Sequence, residues 1–316
     1  MLARGGGAGG ADGSGSTGGG QPGAGSPDSP NGVGWQTRYA RLSNDQWEST
    51  VTDLFYLAAP LGLSSSFLPE PSDKGYVAEA AATVTVGGDA WGRYETAAEG
   101  VAKVVSADGA KLAKLASGAS DADKATALIK SLGRRAYRRA LTGDEVTAYL
   151  ALFQQGPSLI GGDPFASGAN LVIQTMLQSP HFLYRVERTA NVKDGKVWLS
   201  GDELATRLSY ALWNTMPSDA LFAAADAGEL ATPDGVKKWA SALLDDPKAH
   251  AVLLSFHTQT FSIGQYGTHD HDASLGFNAK TLAPVLQDAA RKFFEDIALQ
   301  HNGGIREILT TPVAYV

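Results

Sequence analysis

The chain has 316 residues, 43% hydrophobic and 19% charged, with a net charge of −7 and no cysteine. The length suits one large domain or two ordinary ones, and the negative balance argues against nucleic acid as a partner. Without Cys there are no disulfides, thiolate metal sites, Cys nucleophiles or covalent c-type haem in this chain, and no apolar run approaches the length of a membrane-spanning helix.

Residues 1–34 hold 14 of the 37 glycines, mixed with Ser, Ala and Pro. Such a composition cannot bury a core and predicts a disordered tether, spanning on the order of 30 Å as a random coil. It lacks the basic and apolar regions of a signal peptide. Tethers of this kind follow export signals or lipid anchors, so the expected location is the cell envelope, periplasm or exterior; an ordinary disordered tail is the alternative.

From Trp35 onward the signals are helical. Ser43…Gln46, Thr142…Glu145 and Ser200…Glu203 each form a capping box, with Leu before the cap and Trp47, Val146 or Leu204 at the fourth helical position. Asp163-Pro164, Ser179-Pro180, Thr232-Pro233 and Asp246-Pro247 pair a capping residue with Pro at the first helical position. Apolar stripes follow these starts. They are Trp47, Val51, Leu54 and Phe55; Val146, Tyr149, Leu150 and Phe153; Phe165, Ala169, Val172, Ile173 and Met176; and Leu204, Leu208, Ala211 and Leu212. Further helices are predicted over 89–106, 121–139, 219–227, 247–263, 280–301 and 304–310, with Gly228 and Gly303 at C-terminal caps. Ala82–Val86 is a candidate extended piece, and Val192–Val197 a hairpin around Asp194-Gly195. Two short pieces make no sheet core. The predicted class is all-α, an irregular multi-helix assembly, divided into 1–34 (tether), 35–132, 133–190 and 198–316.

Few residues point to chemistry. Gly133–Ala140 carries Arg134, Arg135, Arg138 and Arg139. The run could grip a carboxylate or phosphate; alternatively the last turn of a helix welcomes cations, with Asp144 and Glu145 beyond it as partners. His269, Asp270, His271 and Asp272 form the densest set of metal-ligand types, but strict alternation divides them between two faces, and the preferred reading is a solvated loop with no metal. His181, in Ser179–Arg185, is either a ligand or base or a helix-start histidine packed among aromatics, the preferred reading. His250, His257 and His301 read as ordinary helix residues, His301 at a C-terminus. Tyr210 and Trp213 read as core or helix-interface aromatics. His181, His257 and Met176 are the candidate axial ligands for a non-covalent haem, and each reads better as a packed helix residue. No cofactor is expected in this chain, and no catalytic residue is assigned.

Three blocks carry a resemblance. RLSNDQWESTVTDL (Arg41–Leu54), RRAYRRALTGDEV (Arg134–Val146) with MLQSPHFLYRVE (Met176–Glu187), and LSGDELATRLSYALWNTMPSDAL (Leu199–Leu221) with ARKFFEDI (Ala290–Ile297) resemble, in this order, the helical PSD-type domains of unknown function. These recur in large exported multidomain proteins of planctomycetes and myxobacteria, often fused to cytochrome-c-like modules. Gln46-Trp47 stands where the first pattern has Glu-Tyr, and the loop around His269 departs from the third. The resemblance implies an exported helical module of a larger protein, with haem-linked electron transfer or oxidoreductase chemistry and cytochrome-like domains of the same protein as partners. It further implies that the chain stops before the C-terminal domains. The other readings are an envelope-tethered binding or scaffold module without catalysis, and a metal-dependent hydrolase using the His269–Asp272 loop. The resemblance supplies no reaction, so it assigns no site residue.

Overall fold

The computed structural model describes residues 39–315 apart from 71–75, 78–80, 82–83, 191, 194–195, 267–278 and 302. The expected tether and the His269–Asp272 loop therefore lie outside the described residues. Thr37–Val316 forms one compact unit. It is all-α, as its capping signals require. In chain order the helices are α1 (Asn44–Leu54), α2 (Gly88–Ser106), α3 (Gly109–Leu115), α4 (Asp121–Ala136), α5 (Gly143–Leu159), α6 (Pro164–Gln178), α7 (Pro180–Leu183), α8 (Gly201–Leu212), α9 (Asp219–Asp226), α10 (Pro233–Leu244), α11 (Pro247–Thr260), α12 (Ala279–Phe294) and α13 (Ile305–Thr310). A π-helical turn, Glu295–Gln300, continues α12.

All seven encoded starts form. Ser43, Thr142 and Ser200 accept from the backbone N–H of Gln46, Glu145 and Glu203, and each box closes reciprocally. The four Pro-initiated helices α6, α7, α10 and α11 begin at the expected residues, capped by Asp163, Ser179, Thr232 and Asp246. Ser120 and Asp123 add a fourth box at α4. Gly228 closes α9 in the left-handed region at φ 76°, and the Gly303 N–H donates to the Ile297 carbonyl, 2.7 Å.

The main core runs from Leu42 to Met216. Here α2 packs along α6, and α6 also packs on α5 and α4. The α1 stripe Trp47, Val51, Leu54 and Phe55 is buried, as are Ala169, Val172, Ile173 and Met176 of α6. The α5–α6 approach depends on two glycines. A Cβ on Gly156 would strike the backbone of Gly168, and one on Gly168 would lie 2.7 Å from the Phe153 carbonyl oxygen. A second cluster gathers Ala205, Leu221, Leu230 and Leu243, with Leu204, Leu208 and Leu212 against it. A third joins Ile263, Phe294, Ile297 and Ile308.

Some details differ from the sequence reading. Ala211 is exposed; Ala205 takes its place in the second cluster, because α8 turns Tyr210 toward the main core instead. The described part of Ala82–Val86 is not a strand. A pairing with no local signal appears instead: β1 (Tyr39–Arg41) lies antiparallel to β2 (Tyr184–Val186), with Ala40 opposite Arg185. The expected hairpin forms as β3 (Val192–Lys193) and β4 (Lys196–Val197), with its Asp194-Gly195 turn outside the described residues.

Candidate functional site

The arginine run places four guanidiniums within six residues, and all four are engaged inside the unit. Arg134, in the last turn of α4, donates to Asp202 (2.6 Å) and Asp226 (2.7 Å) and lies over the Phe222 ring. Arg135 donates to Asp219 (2.5 Å) and the Asp53 carbonyl (2.8 Å) and covers the Tyr56 ring at 4.4 Å. Arg139 grips Glu145 through two hydrogen bonds, 2.9 and 2.7 Å.

Arg138 behaves differently. Helix α4 stops at Ala136, short of the predicted end at 139, and Arg138 takes a left-handed backbone at φ 57°. That conformation costs a non-glycine residue roughly 1–2 kcal/mol. It aims the buried guanidinium at the carbonyls of His181, Phe182 and Tyr184, 2.7–2.9 Å away, and at the Tyr210 hydroxyl, 3.0 Å. Four hydrogen bonds to a charged donor outweigh the strain. The two motifs RRAYRR and SPHFLYR thus meet through one side chain. Of the expected acidic partners, Glu145 pairs with the run. Asp144 does not, and its place is taken by Asp202, Asp219 and Asp226 from α8 and α9.

His181 stands beside this run. Its ring packs 5.3 Å from Tyr137, whose hydroxyl shares a short hydrogen bond with that of Tyr149. Burial lowers the His181 pKa and the Arg139 charge lowers it further, so the ring is neutral at pH 7. Burial raises the pKa of both phenols, which keeps them protonated. The Arg139 hydrogen bonds bring the Glu145 carboxyl down to about 2. The arrangement is one of ring packing and fixed charge, the aromatic environment expected for His181.

The remaining sequence candidates disperse. His269 and His271 lie outside the described residues. His250 is exposed on α11. His257 stacks on Phe294 at 5.4 Å and 7°. His301 caps the π turn, its Nδ1 3.0 Å from the Asp296 carbonyl. Met176 is fully buried. The Trp213 indole N–H donates to the Leu243 carbonyl, 2.8 Å. Among the described residues no group of three or more His, Asp and Glu is placed to hold a metal, and no helix is long and apolar enough to cross a membrane.

Three family models match this chain. PSD3, a protein of unknown function (DUF1587), matches residues 40–107. PSD5, also a protein of unknown function (DUF1595), matches 124–187, and PSD4, likewise a protein of unknown function (DUF1592), matches 199–316. No curated protein and no solved structure matches it. The matched segments locate the contacts just described. Arg134 and Arg135 of the PSD5 segment reach Asp202, Asp219 and Asp226 of the PSD4 segment, and Arg135 also reaches the Asp53 carbonyl of the PSD3 segment.

Sequence reasoning also passed over three acids that the fold fully engages. The Asp53 carboxylate accepts from Thr215 (2.8 Å) and Lys248 (2.7 Å). Glu48 holds the backbone N–H groups of Gly62 and Ser64, both at 2.8 Å. Glu70 binds Arg41 (2.7 Å) and the first N–H of α1 at Asn44 (2.8 Å). Each is a single acid in an ordinary helix or loop, and its partner is 14 or more residues distant. The buried Arg41, Leu42, Ser43, Gln46 and Trp47 show that the first PSD-like motif is occupied by packing and capping.

Proposed function

We propose that this chain is a scaffold or binding module: a rigid helical unit, part of an exported multidomain protein at the cell envelope, that presents a surface to another protein or polymer and does no chemistry itself. The observation that supports this most is the commitment of Arg134, Arg135, Arg138 and Arg139 to contacts within and between the three matched segments. A run that gripped a substrate would leave guanidinium edges open to solvent; this one spends them on carbonyls and carboxylates of its own chain. The resemblance adds that the intact protein joins such a unit to a haem-bearing, cytochrome-like part. The module's role would then be to hold that part in position, the electron-transfer step belonging to the haem.

The test is an absorption spectrum of the chain purified after expression with haem supplied. The expected result is no Soret band. A stoichiometric band abolished by His181→Ala would replace the scaffold reading with a haem-binding one.

A further inference from the structure

Arg185 is half-buried and stands apart from the arginines of the run. It leaves β2 opposite Ala40, and its guanidinium lies over the Tyr210 ring, 5.2 Å from the centroid. Its Nε is shut off from water and meets no acceptor. The Nε groups of Arg41 and Arg135 are in the same condition, but those two guanidiniums hold Glu70 and Asp219 through other nitrogens. Among the described residues Arg185 has no carboxylate partner.

Its surroundings make this more costly. Arg138 approaches the same Tyr210 ring, 5.6 Å from the centroid. It is buried, and its hydrogen-bond partners are all neutral: three carbonyls and the Tyr210 hydroxyl. The nearby acid, Glu187, is taken up by Arg207 through two hydrogen bonds, 2.5 and 2.9 Å. Two guanidiniums therefore flank one ring with no carboxylate paired directly to either, Glu187 acting on Arg185 only at longer range, in a chain whose net charge is −7. Burial lowers the Arg185 pKa, and repulsion by Arg138 and Arg207 adds to this, with Tyr210 and Glu187 acting in the opposite direction. A desolvated guanidinium is stable when an anion completes it, and its planar fork fits two oxygens of one group. Arg185 is half-buried rather than fully enclosed.

We propose that Arg185 anchors a binding site for a small oxyanion, a carboxylate or phosphate group, received beside the Tyr210 ring where β2 meets β1. The site draws on residues 40, 185 and 210, one from each matched segment, so its occupancy bears on how the segments are held. It goes beyond the scaffold reading and does not depend on it.

The experiment follows thermal unfolding of the full chain in sodium acetate or sodium phosphate, each against sodium chloride at matched ionic strength. A ligand that binds the folded state alone raises the midpoint progressively with its concentration. The expected result is a rise in acetate, phosphate or both that Arg185→Gln abolishes and Arg185→Lys reduces. Acetate acting alone identifies a carboxylate, and phosphate acting alone a phosphate group. Because a variant can lose its fold for other reasons, the wild-type chain is also labelled with phenylglyoxal and mapped by peptide mass spectrometry. The effective anion slows labelling of Arg185 several-fold and leaves exposed Arg306 unchanged. Equal midpoints in all three salts, an equal rise in Arg185→Gln, or no protection of Arg185 would overturn the proposal.

Discussion

At the scale of single residues, several charged side chains also complete backbone. Glu145 is the clearest case: it accepts from Arg139 and from the Thr142 N–H, 2.8 Å, and so closes the α5 cap. Its carboxyl is held at about 2 against an ordinary value of 4.5. A depressed carboxylate contributes stability that is complete above 4.5 and disappears as pH falls from there toward 2. Glu145→Gln is expected to lower stability at pH 7 by roughly 1 kcal/mol, since a quarter of the side chain is exposed and water screens the pair. The difference from wild type should vanish near pH 2 in urea titrations across this range. A pH-independent difference would assign the effect to packing rather than charge.

At the scale of elements, the helix starts are local and the helix contacts are not. Gly156 lies late in α5 and Gly168 early in α6; a Cβ on Gly156 would strike the Gly168 backbone, and one on Gly168 would strike Phe153. Gly156→Ala is therefore expected to separate the helices and cost about 1–3 kcal/mol, the usual range for overpacking. Gly92→Ala in α2 meets no atom within 4 Å and should instead stabilise by up to about 1 kcal/mol, through helix propensity and a less flexible unfolded chain. Chemical denaturation of both variants measures the pair. Equal effects of the same sign would show that α5 and α6 do not approach through these glycines.

Over the whole molecule, the PSD5 segment is the hub: its arginines reach acids in α8 and α9, and its β2 pairs with β1. The two ends of the Arg135–Asp219 bridge are unequal. Asp219 is 69% exposed and Arg135 only 7%, so most of the energy lies on the arginine's side. Asp219→Asn is expected to cost no more than about 1 kcal/mol. Arg135→Ala should cost about 2–4 kcal/mol, because it also removes the Tyr56 stacking and the hydrogen bond to the Asp53 carbonyl. Calorimetric unfolding of the two variants compares them; an equal loss in both would place the energy in the ion pair itself.

What the sequence determined by itself is the all-α class, the seven encoded helix starts and the buried stripes of α1 and α6. These rest on caps and periodicity that act within about one or two turns, so the chain states them locally. The helix start at Ser179, just ahead of His181, was legible for the same reason, whereas the Tyr137 ring that packs on His181 comes from a distant helix end. Tertiary structure decided the rest. The break of α4 at Ala136 follows from carbonyls more than 40 residues away that reward Arg138 for leaving the helix. The pairing of β1 with β2, the turning of Tyr210 toward the main core and the partners of Arg134 and Arg135 also join distant residues. The Arg185 site shows the limit most plainly: the lack of a directly paired carboxylate is a property of what surrounds a guanidinium in space, and adjacency in the chain carries no record of it.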